Sequence, residues 1–218
     1  MDAYIRNKKH MKTIFLSFLF FSFLSSSAWA DFKKGVAAYE AGDVASAFKE
    51  FRASAEKGDA DSQYNLGLMY EQGIGISKDE TQAVGWYRKS SEQGNSNAQY
   101  NLAVLYENGR GTPVDFAQAH LWYRKALVQG DALAGGNLGM LYMRGQGVRE
   151  DKVAGLALLL LSVMMDNSPE NHAKQNISLT QGLTPEMVKT AQTLSAEMIN
   201  SPNPLLPLDQ YLKNGQKH

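Results

Sequence analysis

Few residues in this 218-residue chain are of a type and spacing that could do chemistry. There is no cysteine, and the four histidines, His10, His120, His172 and His218, are scattered. No two stand at i, i+4, so the paired-imidazole spacing of a helical zinc site does not occur. Two Ser-x-x-Lys turns are present, Ser46-Ala47-Phe48-Lys49 and Ser54-Ala55-Glu56-Lys57. That spacing puts an amine beside a serine hydroxyl on one helical turn, as in penicillin-binding enzymes. The Ser-Asp-Asn and Lys-Thr-Gly elements that complete such sites are missing from the sequence. Gly-x-Gly recurs at Gly73/Gly75, Gly109/Gly111 and Gly145/Gly147 without the third glycine of a nucleotide loop, so these pairs read as turn residues. No Gly-x-Ser-x-Gly, His-Glu-x-x-His or Gly-x-x-x-x-Gly-Lys appears. Asn176-Ile177-Ser178 is a glycosylation sequon that nothing else in the chain supports. The expectation is a protein that is not an enzyme and takes no cofactor or metal.

Composition fits a folded, water-facing chain: 44% hydrophobic, 20% charged, formal net charge zero. The first thirty residues hold four basic groups (Arg6, Lys8, Lys9, Lys12) and one acid (Asp2). Of the 22 basic and 22 acidic residues, 18 and 21 therefore remain beyond them, a charge of −3. That balance argues against nucleic acid, which needs a basic face. The amino-terminal segment reads as a secretory signal over residues 1–30. Met1 to Lys12 is basic, Ile14 to Leu24 is apolar, and Ser25 to Ala30 is small and ends Ala28-Trp29-Ala30. Met11 is an alternative start. The apolar run falls short of the roughly 20 residues of a membrane span, so cleavage near Ala30 and no membrane span afterwards are expected. Without cysteine there is neither a lipid anchor nor a disulfide, and a periplasmic or secreted fold must be held by packing alone.

The middle of the chain is one unit written three times at an offset of 36 residues. Asn65, Asn101 and Asn137 fall in phase, as do Leu66, Leu102 and Leu138, and Tyr70, Tyr106 and Tyr142. Asp79, Asp115 and Asp151 follow the glycine pairs; Trp86-Tyr87 recurs as Trp122-Tyr123 and weakens to Leu158-Leu159. Gly58, Gly94 and Gly130 close the period. Each unit reads as two helices. Leu102, Leu105 and Tyr106 share a face. Gly67, Ala103 and Gly139 would let a neighbouring helix approach, and Gly73 would end the first helix in a left-handed cap. Asp79 and Asp115, each followed three residues on by Gln, would cap the second helix, which buries Ala83, Trp86 and Tyr87. A shorter unit precedes them, with Asp43, Ala47 and Phe51 aligned to Asp79, Ala83 and Tyr87.

Ala-Gln-Tyr-Asn-Leu-Ala-Val-Leu-Tyr-Glu-Asn-Gly-x-Gly, then Asp-x-x-x-Ala-x-x-Trp-Tyr-Arg-Lys-Ala and Gln-Gly, resembles the Sel1-like repeat, a relative of the tetratricopeptide repeat. The resemblance covers about residues 59–165. It implies an all-α solenoid of stacked antiparallel helix pairs forming a right-handed superhelix. The expected organisation is a tetratricopeptide-like pair at 31–58 and repeats at 59–94, 95–130 and 131–167. Capping helices at 168–200 would start at Ser168-Pro169 and Thr184-Pro185, and a proline-containing flexible tail would fill 201–218.

The resemblance further implies a concave groove lined by the first helix of each pair. Carried over by the motif, its residues are Tyr64, Asn65, Leu68, Glu71 and Gln72, then Tyr100, Asn101, Val104, Glu107 and Asn108. In the third unit they are Gly136, Asn137, Met140, Met143 and Arg144. Such a row of asparagines has two uses. It can bond the backbone of an extended peptide, or a neighbouring helix of its own chain. The implied partner is another protein or an extended peptide, held by an envelope scaffold. Two alternatives stand beside it, a cell-wall or β-lactam-binding hydrolase and a secreted host-interaction factor.

Overall fold

A computed structural model describes residues 26–215, and within them every regular element is a helix. In chain order they are α1 (Ser26–Glu40), α2 (Val44–Glu56), α3 (Ala60–Gln72), α4 (Glu80–Glu92), α5 (Ser96–Asn108) and α6 (Phe116–Val128). They continue as α7 (Ala132–Arg144), α8 (Lys152–Met165), α9 (Ala173–Leu179), α10 (Pro185–Asn200) and α11 (Leu205–Gly215). Up to α8 each odd helix packs chiefly on the even helix that follows it, and each even helix then packs on the next pair. This is the stacked-pair solenoid.

Short polar side chains set the helix starts. Asp43, Asp59, Asp79, Asn95, Asp115, Asp131 and Asp151 each accept from the backbone N–H three residues on. Gly73, Gly109 and Gly145 end the first helices in the left-handed region, at φ 71°, 65° and 64°. The second glycine of each pair serves the stack rather than the cap. A Cβ on Gly111 would lie 2.2 Å from the Glu80 carbonyl oxygen, and one on Gly147 would lie 2.5 Å from the Phe116 carbonyl carbon. These loops are therefore laid directly on the start of the preceding unit's second helix.

Within a pair the clearance is equally tight. A Cβ on Gly67 would stand 2.6 Å from the Tyr87 ring, one on Gly35 2.7 Å from the Phe51 ring, and one on Gly139 2.8 Å from the Gly155 carbonyl oxygen. A ladder of glutamines, unread in the sequence, crosses the units, with Gln63 and Gln99 buried and Gln93 and Gln129 at the surface. Gln63 donates to the Ala55 carbonyl (3.1 Å) and Gln93 to the Gln63 side chain (2.7 Å); Gln99 donates to the Ser91 carbonyl (3.1 Å) and Gln129 to the Gln99 side chain (2.7 Å).

Two terminal features depart from expectation, and the described residues begin inside the expected signal. Residues 26–30, placed in the signal, form the first turn of α1. There Ala28 is buried and its carbonyl accepts from Ser54 Oγ at 2.8 Å. The remainder of the expected signal lies outside the described residues. The helix expected to start at Ser168 begins only at Ala173. Asn171 is held back by bonds from its amide to the Ser162 and Asp166 carbonyls (2.9 and 2.7 Å), which keeps 168–171 in turns.

The expected flexible tail is instead mostly α11. Leu205 and Leu208 are buried, Tyr211 and Leu212 pack on the core, and Arg124 of α6 pairs with Asp209 at 2.7 Å. Its prolines had suggested a break. Pro202 and Pro204 precede the helix and Pro207 sits in its first turn, where no helical N–H bond is needed. No helix among the described residues is long and apolar enough to cross a membrane.

Gly111→Ala is expected to cost roughly 2–4 kcal/mol, from a left-handed backbone and overpacking against an unyielding carbonyl. Gly85 lies inside α4 with open space around its Cβ position, and Gly85→Ala should stabilise by about 1 kcal/mol. Urea unfolding midpoints measure both.

Candidate partner-binding face

The first helices present one register of side chains, and their geometry repeats. Tyr64 lies with its ring centroid 5.9 Å from that of Tyr87, and Tyr100 lies 6.0 Å from Tyr123. Behind this row the hydroxyls of the second-helix tyrosines tie neighbouring units together. Tyr87 donates to Glu71 Oε2 at 2.6 Å and accepts from Asn101 Nδ2 at 3.2 Å. Tyr123 donates to Glu107 Oε2 at 2.6 Å and accepts from Asn137 Nδ2 at 3.0 Å. Burial makes the phenols weaker acids: the pKa of Tyr64 is pushed up to about 12, and those of Tyr87 and Tyr123 are also raised. Tyr87 and Tyr123 therefore stay protonated and keep donating to Glu71 and Glu107.

Asparagine thus spends its amide on the preceding unit wherever that unit offers a hydroxyl. The short first unit offers Phe51 instead, and Asn65 turns to its own helix, donating to the Asp61 carbonyl at 2.8 Å. Arg110 joins the same seam, 3.1 Å from Glu71 and 2.6 Å from Glu80. Lys78 and Arg110 together hold the Glu80 carboxyl below its usual range.

The third unit drops this polar seam. Gly136 stands where the others carry tyrosine, Met143 where they carry Glu71 and Glu107, and Leu159 where they carry Tyr87 and Tyr123. Met143 lies against Gly155, whose Cβ would meet its sulfur at 2.5 Å. Ala173, which follows Asn137 by the repeat period, brings α9 over Gly136. A Cβ on Gly136 would be 3.7 Å from that of Ala173 and 3.1 Å from Ser162 Oγ. Gly136 is therefore buried by its own chain. Of the remaining groove positions, Tyr64, Asn65, Leu68, Glu71, Tyr100, Asn101, Val104, Glu107, Asn137, Met140 and Met143 are half-buried, and Gln72, Asn108 and Arg144 are exposed.

Comparison with protein families matches the Sel1 repeat at residues 60–95, 96–131 and 136–167. The chain carries three Sel1 repeats. Among solved structures the Sel1 array is similar to a protective antigen present in uropathogenic Escherichia coli strains, described as displaying an SLR fold. Identity is 33% and the TM-score 0.65, over 77% of this chain and 35% of that one, so the chain spans about a third of that antigen's length. It is also similar to a Sel1 repeat protein from Oxalobacter formigenes, at 27% identity and TM-score 0.62, over 78% of this chain and 76% of that one. No curated protein sequence matches it.

Other chemistry-bearing residues of the Sel1 protein have structural partners. Ser54 is fully buried and its hydroxyl donates to the Ala28 carbonyl, and Lys57 pairs with Asp31. Ser46 lies at the start of α2, where its N–H donates to the capping Asp43. Trp122 is buried, whereas Trp86 is only half-buried; Lys125 and Lys89 each lie 4.0 Å from the respective ring centroid. His172 is exposed at the start of α9. His120 faces Tyr142 OH at 3.2 Å, and burial, with Arg124 beside it, lowers its pKa to about 4.

Two outcomes follow from this geometry. Asn101→Ala is expected to lower stability by about 1 kcal/mol, whereas Asn65→Ala, which loses only a bond within its own helix, should be close to neutral. Thermal midpoints of the two variants test this. His120 is neutral in the fold and its folded pKa lies below the unfolded value. Stability should be intact above about pH 6.5 and decline as pH falls from there toward 4. His120→Gln should flatten that decline in the midpoint-against-pH curve.

Proposed function

We propose that this is an exported Sel1 scaffold that holds a segment of another protein, in extended form, against its first-helix face. Sel1 repeats generally serve protein–protein interaction, and the residues left part-exposed in register support that reading here. Tyr64, Leu68, Tyr100, Val104 and Met140 are large apolar side chains on consecutive first helices, and a fully internal role would have buried them. The row is flanked by exposed amides, Gln72 and Asn108, that suit a peptide backbone. The asparagine ladder is a poorer candidate for direct contact than its spacing implied, because Asn101 and Asn137 already bond Tyr87 and Tyr123. Export rests on the basic, apolar, small-residue order of the first thirty residues.

Leu68→Glu with Val104→Glu is expected to abolish partner capture from envelope extract and leave the thermal midpoint within a few degrees of the parent. Retained capture would refute this face. Cell fractionation tests export: a periplasmic or released product shorter by the mass of residues 1–30 is expected, and a full-length cytosolic product would refute it.

A further inference from the structure

We propose that the third Sel1 unit carries a seat for one phenolic side chain, filled by a tyrosine of the bound partner. The inference rests on the first-helix face being the binding face, and it names one chemical feature of what binds there.

The argument begins with the repeat itself. At one position of the first helix the units carry Tyr64, Tyr100 and then Gly136, so the row of rings stops one short. Beside Gly136 is a cavity of 160 Å³ whose lining includes Tyr100, Asn137, Glu170, His172 and Asn176. A cavity of about 150 Å³ admits one benzene-sized ring. Position 136 does not supply that ring: it is a glycine, and a Cβ there would already be crowded at 3.1 Å from Ser162 Oγ and in contact with Ala173 at 3.7 Å. A ring that fills the cavity would come from a bound partner.

The lining selects the kind of ring. Tyr100 offers an aromatic wall, against which a second ring gains contact beyond simple burial. The other walls include the side chains of Asn137 and Asn176 and the imidazole of His172. Asn137 already bonds Tyr123, but a plain phenyl group would desolvate the Asn176 amide and the His172 imidazole without bonding them, which is costly. A phenol brings a hydroxyl that both donates and accepts, matching an amide and an imidazole. Tyrosine is also a rigid anchor, with few rotors to freeze on binding.

The test titrates N-acetyl-tyrosinamide into the isotope-labelled protein, following the backbone amides of Gly136, Asn137 and Asn176. Saturable shifts confined to this seat are expected, with N-acetyl-phenylalaninamide at least roughly ten-fold weaker and N-acetyl-leucinamide inert. Asn176→Phe, which fills the cavity from α9, should abolish the response. His172→Ala, an exposed rim change that leaves packing intact, should weaken it roughly three-fold. Absence of saturation, an equal response to the leucine compound, or undiminished binding by both variants would overturn the seat. Selecting random peptides on the protein separates the two proposals. Tyrosine-containing peptides that lose binding in Asn176→Phe support the seat. Peptides that bind through Leu68 and Val104 without any tyrosine overturn it and leave the face standing.

Discussion

Among the described residues the regular pairs from α1 to α8 close because one position on the first helix carries little or no side chain, glycine in three of them and Ala103 in the fourth. Gly67 leaves room for the Tyr87 ring, Gly35 for the Phe51 ring, and Gly139 for the backbone at Gly155. Glycine in a helix is costly in isolation. Here it sets the distance between two helices, and thereby whether a ring lies flat enough in the pair for its far edge to reach the next unit. Substituting a bulkier residue would push the ring outward and break contacts on both sides of it.

From that clearance follows the polar seam. A seated tyrosine delivers its hydroxyl between a carboxylate of its own unit and an amide of the following one, as in Glu71–Tyr87–Asn101 and Glu107–Tyr123–Asn137. The seam gives each interface a directional bond that oil-like packing lacks, and so fixes rotation between units as well as distance. Where the seam ends the fold changes character. Met143, Gly155, Leu159 and Ala173 replace it with an apolar contact, and α9 crosses the face rather than pairing regularly.

The architecture was legible because it is written in period and punctuation. Asp and Asn caps, left-handed glycines and in-phase leucines are local rules, and they recur too regularly to be misread. What was illegible depended on partners distant in sequence. Asn101 and Asn65 occupy the same repeat position. Their different bonds are decided by whether residue 87 or residue 51 has a hydroxyl, which matters only once the helices are stacked. The sequence reading passes over Gln63, Gln93, Gln99 and Gln129, although their spacing, 30 residues within each bonded pair, is a usable signal. The last helix was misread because prolines were counted as breakers. Leu205, Leu208, Tyr211 and Leu212 at helical spacing, with Asp209 able to find Arg124, outweigh them.

The Arg124–Asp209 pair bridges 85 positions of sequence, and Tyr211 adds a contact to Asp151 in the same region. Among the described residues the amino-terminal units show no such clasp; Phe51, Ala47 and Met69 form a small cluster separate from the main core. The array therefore has a mechanical polarity. Traction on its amino end peels pairs away singly, each against one nearest-neighbour interface. Traction on its carboxyl end meets α11 first and must shear the clasp before any unit yields. A machine that threads or degrades this chain would find it soft from the front and latched from the back.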